Sequence, residues 1–380
     1  MVVVIGGGVA GAMAALAARA AGAPVELRSR AWGATALSSG AIDLAGDPGE
    51  VPGDPWPGRP SAECNLQEML RRNAHHPLRH VRDKVGAALD LFCQRVPLHA
   101  PRPLAAANLV VPTDLGTWKS TFLAQRTQAA ADLPALAGKR LAVLGLRGWG
   151  GFRAKFLAAS LQELAQRGGV ALEIVPETMN LPDDHLALRE PHEIARRLDA
   201  PGEAERLGEA LAPMLRGFFA ALLPPVLGLV DTAVPDRVAK AAGVPVFEPL
   251  ASDLSVPGLR LQMALDRALQ TAGVTRSTSV ERPSGPTVLA TGRFLGGGIV
   301  RTGWELVDPV FGLRAVAMTH DPLASAGLVT DDRLHPDGAP PHLFAAGAVL
   351  GGYDPIGERC GMGTAIVTGF AAGRFAAEAA

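Results

Sequence analysis

The run "VVVIGGGVAGAMAALAARAAGAPVELRSR", residues 2 to 30, constrains this chain more than any other stretch. Val2 to Ile5 is a short continuous apolar run, which predicts a buried parallel strand. Gly6, Gly8 and Gly11 then read G-x-G-x-x-G. The first permits a tight turn, the second lets the backbone approach a pyrophosphate, and the third lets a helix pack closely on the strand. Ala12 to Ala21 is Ala-rich and favours a helix. Its N-terminus offers free N–H groups and a positive dipole end to a phosphate. Gly22 stops the helix, and Val25 to Leu27 supplies a second strand. Strand, turn, helix, stop and strand in this order point to a nucleotide-type cofactor. One position departs from the pattern. Where the second strand normally ends in an acid, this chain has Ser29, flanked by Arg28 and Arg30.

The remaining composition narrows the class. With 36 Lys plus Arg against 37 Asp plus Glu, the formal net charge is −1, so nothing points to nucleic acid. The 380 residues suggest two lobes. Cys64, Cys93 and Cys360 are far apart and form no C-x-x-C. A disulfide framework, a metal site and an iron–sulfur cluster are therefore not expected in this chain, and a reduced cytoplasmic setting is. No signal peptide is expected, because the first residues read as a core strand. The apolar run Gly217 to Val230 is too short for a membrane span and is broken by Pro224 and Pro225. It reads as a helix end and loop inside a domain.

Along the chain, small residues dominate Gly33 to Gly46, and a Pro/Gly loop follows to Pro60. Residues 61 to 96 read as helical, with a break at Pro77. Gly138 to Gly169 repeats the strand, Gly-rich turn and helix logic, with Leu141 to Leu144 as the strand; it reads as an ordinary βα unit. Residues 192 to 223 look mainly helical. Val244 to Gly273 reads as a strand, a loop and an amphipathic helix. Thr287 to Val300 returns to buried-strand character, and Leu343 onward is strand, Gly-rich loop and long Ala-rich helix. The fingerprint and the last Gly-rich loop both look like parts of one sheet. The expected fold is therefore α/β, with a Rossmann-like domain discontinuous in sequence (1–60, 135–175 and 275–380). An inserted α+β cap, facing substrate or partner, takes 61–134 and 176–274.

Four segments carry a resemblance: the N-terminal G-G-G-V-A-G, "SSGAIDL" at Ser38 to Leu44, "LATGRFLGGG" at Leu289 to Gly298, and "LFAAGAVLGGYDPIGERCGMGTA" from Leu343. Together they resemble the fumarate reductase and succinate dehydrogenase flavoproteins. More narrowly, the chain resembles the B-subunit family of the anaerobic glycerol-3-phosphate dehydrogenases. "SSGAIDL" and "AVLGGYDPI" carry the narrower likeness, supported by "HHPLRHV", "PVFEPL" and "SVPGLRL". Two departures stand out from the wider group. Ser29 replaces the acid that binds the adenosine ribose, and Ala346-Gly347-Ala348 replaces an A-G-D motif. The B-subunit family is associated with FMN, and an FMN site gives an acid at position 29 no task. The loss at 348 is less readily explained, since FMN keeps its ribityl chain. FMN is favoured, with FAD as the alternative, since Ser29 can still give a hydrogen bond to a ribose hydroxyl.

The resemblance implies a flavin held by Gly6, Gly8, Gly11, Ser29, Ser39, Gly40, Gly347, Gly361, Gly363 and Thr364. The implied reaction is oxidation of sn-glycerol 3-phosphate to dihydroxyacetone phosphate, with a base taking the hydroxyl proton. A phosphate needs forked cations. Arg293, Arg359 and Arg260 are the candidates, with His320 as a possible base. The implied partners are the catalytic A subunit, itself a flavoprotein, and the iron–sulfur C subunit, which meets the inner face of the cytoplasmic membrane. The B subunit is then expected to relay electrons, with weak or no dehydrogenase activity of its own. Two other readings stay open: a stand-alone fumarate-reductase-like enzyme on another small substrate, and a non-catalytic assembly protein of such a complex.

Overall fold

A computed structural model describes residues 1–47, 59–180, 188–252, 255–279, 281–317 and 321–380. The opening unit forms as its pattern dictates. Strand β1 (Val2–Ile5) leads through the glycine turn into helix α1 (Val9–Ala20), and β2 (Val25–Arg28) returns parallel to β1. Gly22 leaves the helix with a φ of +89°, a conformation that glycine adopts without steric cost.

Five parallel strands make the first sheet. Their order is Leu343–Ala345, Thr287–Leu289, β1, β2, Thr275–Ser277. Three of the five come from the last third of the chain, so the sheet is discontinuous, as expected. Helix α1 and the C-terminal helix (Gly361–Glu378) cover one face of it. They approach closely because glycines meet alanines at the crossing. A Cβ at Gly369 would lie 2.4 Å from the Ala10 carbonyl oxygen, and one at Gly373 would lie 2.2 Å from that of Ala14.

A second parallel sheet has the order Glu173–Met179, Arg140–Leu146, Ala220–Leu222, Val246–Phe247. It has its own apolar core, built around Val143, Leu157, Leu161, Leu211 and Phe247. This corrects the assignment of 135–175 to the cofactor-binding segments: strand Arg140–Leu146 pairs with its neighbours in the inserted region. A βα unit has the same apolar pattern in any parallel sheet, so the pattern does not reveal which sheet it joins. Residues 220–222 are likewise a buried strand rather than a helix end. Helices Ala62–Arg72 and Val85–Arg95 flank the break at Pro77. Smaller antiparallel pieces complete the fold: a hairpin at Leu109–Pro112 and Trp118–Thr121, and a three-stranded sheet within 300–315.

Candidate functional site

A cavity of about 1160 Å³ opens at the carboxyl ends of β1 and β2, where open parallel sheets hold their ligands. At one end it is walled by the glycine turn, Arg28 to Ala34, Ser279 and Glu281. At the other end stand Ser39, Asp43, Lys119, Arg293, Tyr353 and Gly361.

The three fingerprint glycines have different reasons to be glycine. Gly6 has a φ of +128°, and a Cβ there would lie 2.1 Å from the Ala290 carbonyl oxygen. A Cβ at Gly11 would lie 2.0 Å from the Gly6 oxygen. Both contacts are within the protein. At Gly8 the nearest atom to an added Cβ is Thr35 Oγ1, at an ordinary 3.4 Å. Gly8 lines the cavity, so its reason to be glycine lies in the site rather than in packing. Thr35, buried in the wall, accepts the Val9 N–H at 2.9 Å and so caps the start of α1. The Ala10 and Gly11 amides precede the first bond of the helix interior, Ala12 N–H to Gly8 O, and so belong to the unpaired first turn.

At the far end, Lys119 reaches in from the inserted hairpin and donates to Asp43 Oδ2 at 2.5 Å. Arg293 donates through Nε to Ala348 O and through Nη2 to Leu350 O, each at 3.0 Å. Its guanidinium stands 5.3 Å from the centroid of the Tyr353 ring. Tyr353 is wholly buried, and burial pushes its phenol above the usual range. Among the described residues, its hydroxyl and that of Thr291, both on wall residues, find no hydrogen-bond partner. The loop behind Tyr353 is fixed from the helical segment: Asn73 Nδ2 donates to Gly352 O at 2.8 Å and to Glu358 Oε1 at 2.7 Å.

Of the residues expected from sequence, Gly6, Gly8, Ser29, Ser39, Arg293 and Gly361 line the cavity. The others that are described stand outside the wall. Gly40 has a φ of +77° and packs on Gln125 and Pro257. Gly347 packs on Ala10 and gives its N–H to Thr368 Oγ1. The Gly363 N–H is taken by Asp43 O at 2.8 Å. Thr364 is fully buried and lies outside the described wall. Arg359 packs along Gly46, also outside that wall. Arg260 is buried far from a phosphate role: it forks onto Glu248 at 2.7 and 2.9 Å and gives Nε to Gly228 O at 2.6 Å. His320 lies outside the described residues. Sequence reasoning missed Thr35, Asp43, Lys119, Thr291 and Tyr353. Thr35 and Lys119 fall outside the segments that carry the resemblance; the other three fall within them.

Gly40 is also held by a histidine. His99 is buried and donates Nε2–H to Gly40 O at 2.7 Å, while its Nδ1 has no partner among the described residues. Burial lowers its pKa from 6.5 to about 4. The unfolded chain therefore binds a proton more readily than the folded one between these values, so the stability His99 lends is present above 6.5 and is lost toward 4. About 2 kcal/mol is expected to disappear between pH 7 and pH 5 through this residue. Urea denaturation at both values, in wild type and His99→Gln, checks it: the variant should lose about that much of the pH dependence. An unchanged slope would refute the assignment.

Residues 1–284 match the FAD binding domain family. A probable anaerobic glycerol-3-phosphate dehydrogenase B subunit of Halobacterium salinarum is 33% identical, over 100% of this chain and 98% of that one. The anaerobic glycerol-3-phosphate dehydrogenase B subunit of Pectobacterium carotovorum is 27% identical, over 97% of this chain and 96% of that one. Among solved structures, a flavocytochrome c3 fumarate reductase matches at 11% identity with a TM-score of 0.30, covering 100% of this chain and 78% of that one. That overlap is too loose to carry an argument. With a family match over most of its length and relatives aligned end to end, this chain belongs to the FAD-binding-domain family and, within it, to the B-subunit family of anaerobic glycerol-3-phosphate dehydrogenases.

Proposed function

We propose that this chain is the flavoprotein B subunit of a glycerol-3-phosphate dehydrogenase complex, and that it holds FAD. The observation that carries the cofactor reading is the extent of the cavity. One continuous space runs from Gly361 and Tyr353 past the glycine turn to Ser279 and Glu281, beyond Ser29. A mononucleotide leaves the latter end without an occupant. The cavity and the FAD-binding family support FAD over FMN, which the absent acid at position 29 favours on sequence alone.

The residues present fit such a group. Gly8 would leave room for a pyrophosphate, and the first amides and dipole of α1 would favour its anionic oxygens. Thr291 and Tyr353 offer hydroxyls that are unpaired among the described residues. Gly361 and Met362, in the first turn of the C-terminal helix, bring amides to the far end. When bound, a flavin supplies the hydride and electron-carrying chemistry that no side chain here has. The chain's own part is to bind it, orient it and exclude water.

The same geometry supports an electron-relay role over substrate oxidation. A dianionic phosphate needs uncommitted cations. Among the described residues at the far end, Lys119 is tied to Asp43 and Arg293 to two carbonyls. Arg260 is neutralised by Glu248. Substrate oxidation then falls to the partner A subunit, and onward transfer to the iron–sulfur C subunit. Attachment to the inner face of the cytoplasmic membrane comes through those partners; no helix among the described residues is long and apolar enough to cross a membrane.

The purified chain, denatured and analysed by chromatography and mass, is expected to release FAD. With glycerol 3-phosphate and a dye acceptor it should show only background turnover until its partners are added. Release of FMN overturns the cofactor reading, and robust dye reduction by the chain alone overturns the relay. A colourless protein that takes up neither flavin supports a purely assembling role instead.

A further inference from the structure

Ser29 leaves open what holds an adenosine ribose here. Its hydroxyl donates to Ala31 O at 2.5 Å, so its proton is used locally. Strand Thr275–Ser277 lies beside β2 in parallel, with Ser277 opposite Arg28. The chain leaving that strand therefore emerges at the same end of the sheet as Ser29, and it carries Ser279 and Glu281 into the cavity wall.

Arg28 fixes this segment. Its Nη1 donates to Glu281 O at 2.8 Å, and its Nη2 to Glu26 Oε2 at 2.9 Å. Glu26 in turn receives Ser277 Oγ at 2.6 Å, and the Ser29 N–H bonds Ser277 O at 3.0 Å. The Glu281 backbone is thus clamped to the end of β2. Among the described residues, three carboxylates line the cavity: Asp43, Glu281 and Asp354. Asp43 is paired with Lys119, and Asp354 accepts the Ile356 and Gly357 amides of its own turn. The exposed Glu281 carboxylate has no partner among the described residues, and it stands at the nucleotide end.

We propose that Glu281 supplies the carboxylate that β2 lacks, accepting hydrogen bonds from the ribose hydroxyls of the adenosine half of FAD. This rests on the FAD reading above. The acid has moved from the end of one strand to the loop after its parallel neighbour, and Arg28 holds that loop in place.

The test is titration of the full-length chain, stripped of flavin, with FAD and with FMN, in wild type and Glu281→Ala. The variant should bind FAD about 10- to 100-fold more weakly, the loss of hydrogen bonds to a charged group. Its affinity for FMN should stay within about twofold, because FMN has no adenosine ribose, and its melting temperature should not move, because the side chain is exposed. An FAD affinity unchanged in the variant, or equal losses for both flavins, overturns the inference while leaving the FAD reading intact. Wild type that binds FMN as tightly as FAD, or neither, overturns both.

Discussion

Gly11→Ala is expected to leave little folded protein. The new Cβ would sit 2.0 Å from the Gly6 carbonyl oxygen, with Val4 Cγ1 at 3.5 Å. The obstacle is main chain, so no rotamer change relieves it; α1 must lift away from β1. Overpacking of a tight core costs about 1–3 kcal/mol and occasionally more, and a backbone contact of this kind belongs at or above the upper end. That is a large part of the roughly 5–15 kcal/mol that holds a typical domain. Gly6→Ala fails for a double reason, its 2.1 Å approach to Ala290 O and its φ of +128°. Gly8→Ala is the contrast. Its Cβ meets Thr35 Oγ1 at an ordinary 3.4 Å, so the fold should stand within about 1 kcal/mol while flavin is lost. Soluble yield, thermal melting and flavin stoichiometry across the three variants separate packing from binding. A Gly11→Ala protein that melts like wild type would sink the packing argument.

Glu248→Ala is expected to cost about 3–5 kcal/mol, as breaking a buried ion pair does. Glu248 is wholly buried and both its oxygens are taken. Arg260 forks onto the pair, the Leu227 N–H donates to Oε1 at 2.9 Å, and Thr127 Oγ1 donates to Oε2 at 2.7 Å. Removing it strands a guanidinium in the interior and leaves two donors unpaired. The double replacement Glu248→Met with Arg260→Met should be less destabilised than Glu248→Ala, because the stranded charge goes with its partner. Denaturant midpoints measure both. If Arg260 instead served a substrate phosphate, Glu248→Ala would spare stability and the cost would appear in substrate affinity.

The opening β1–α1–β2 unit was legible because a buried strand, a G-x-G-x-x-G turn and an Ala-rich helix each have a local cause. The discontinuity of the sheet was legible because Thr287–Leu289 and Leu343–Ala345 are apolar runs followed by glycines. What sequence does not carry is which neighbour a residue meets. Gly8 and Gly11 look alike in the pattern, yet one faces a cavity and the other a carbonyl. Arg260 and Arg293 look alike as phosphate forks until Glu248 and two carbonyls are seen to occupy them. Lys119 and Thr35 carry no motif; they reach the wall through a hairpin and a short turn that only the tertiary fold places there. Strand Arg140–Leu146 was recognised as a strand but assigned to the wrong sheet, because its seven residues say nothing about its partners.

The arrangement of the first sheet also orders the events of synthesis. The second sheet, from residue 140 to 247, is contiguous and can close while the ribosome is still translating. β1 precedes that sheet in the chain, yet one of its two neighbours is Thr287–Leu289, and α1 packs on the helix Gly361–Glu378, which follows it. Until those later segments are made, β1 keeps a bare strand edge, the kind of surface that invites aggregation and chaperone binding. Contacts between the two ends of a chain are the slowest to form. The wall of the cavity includes residues as late as Ala365, so the cavity cannot close around a ligand until these segments have been made.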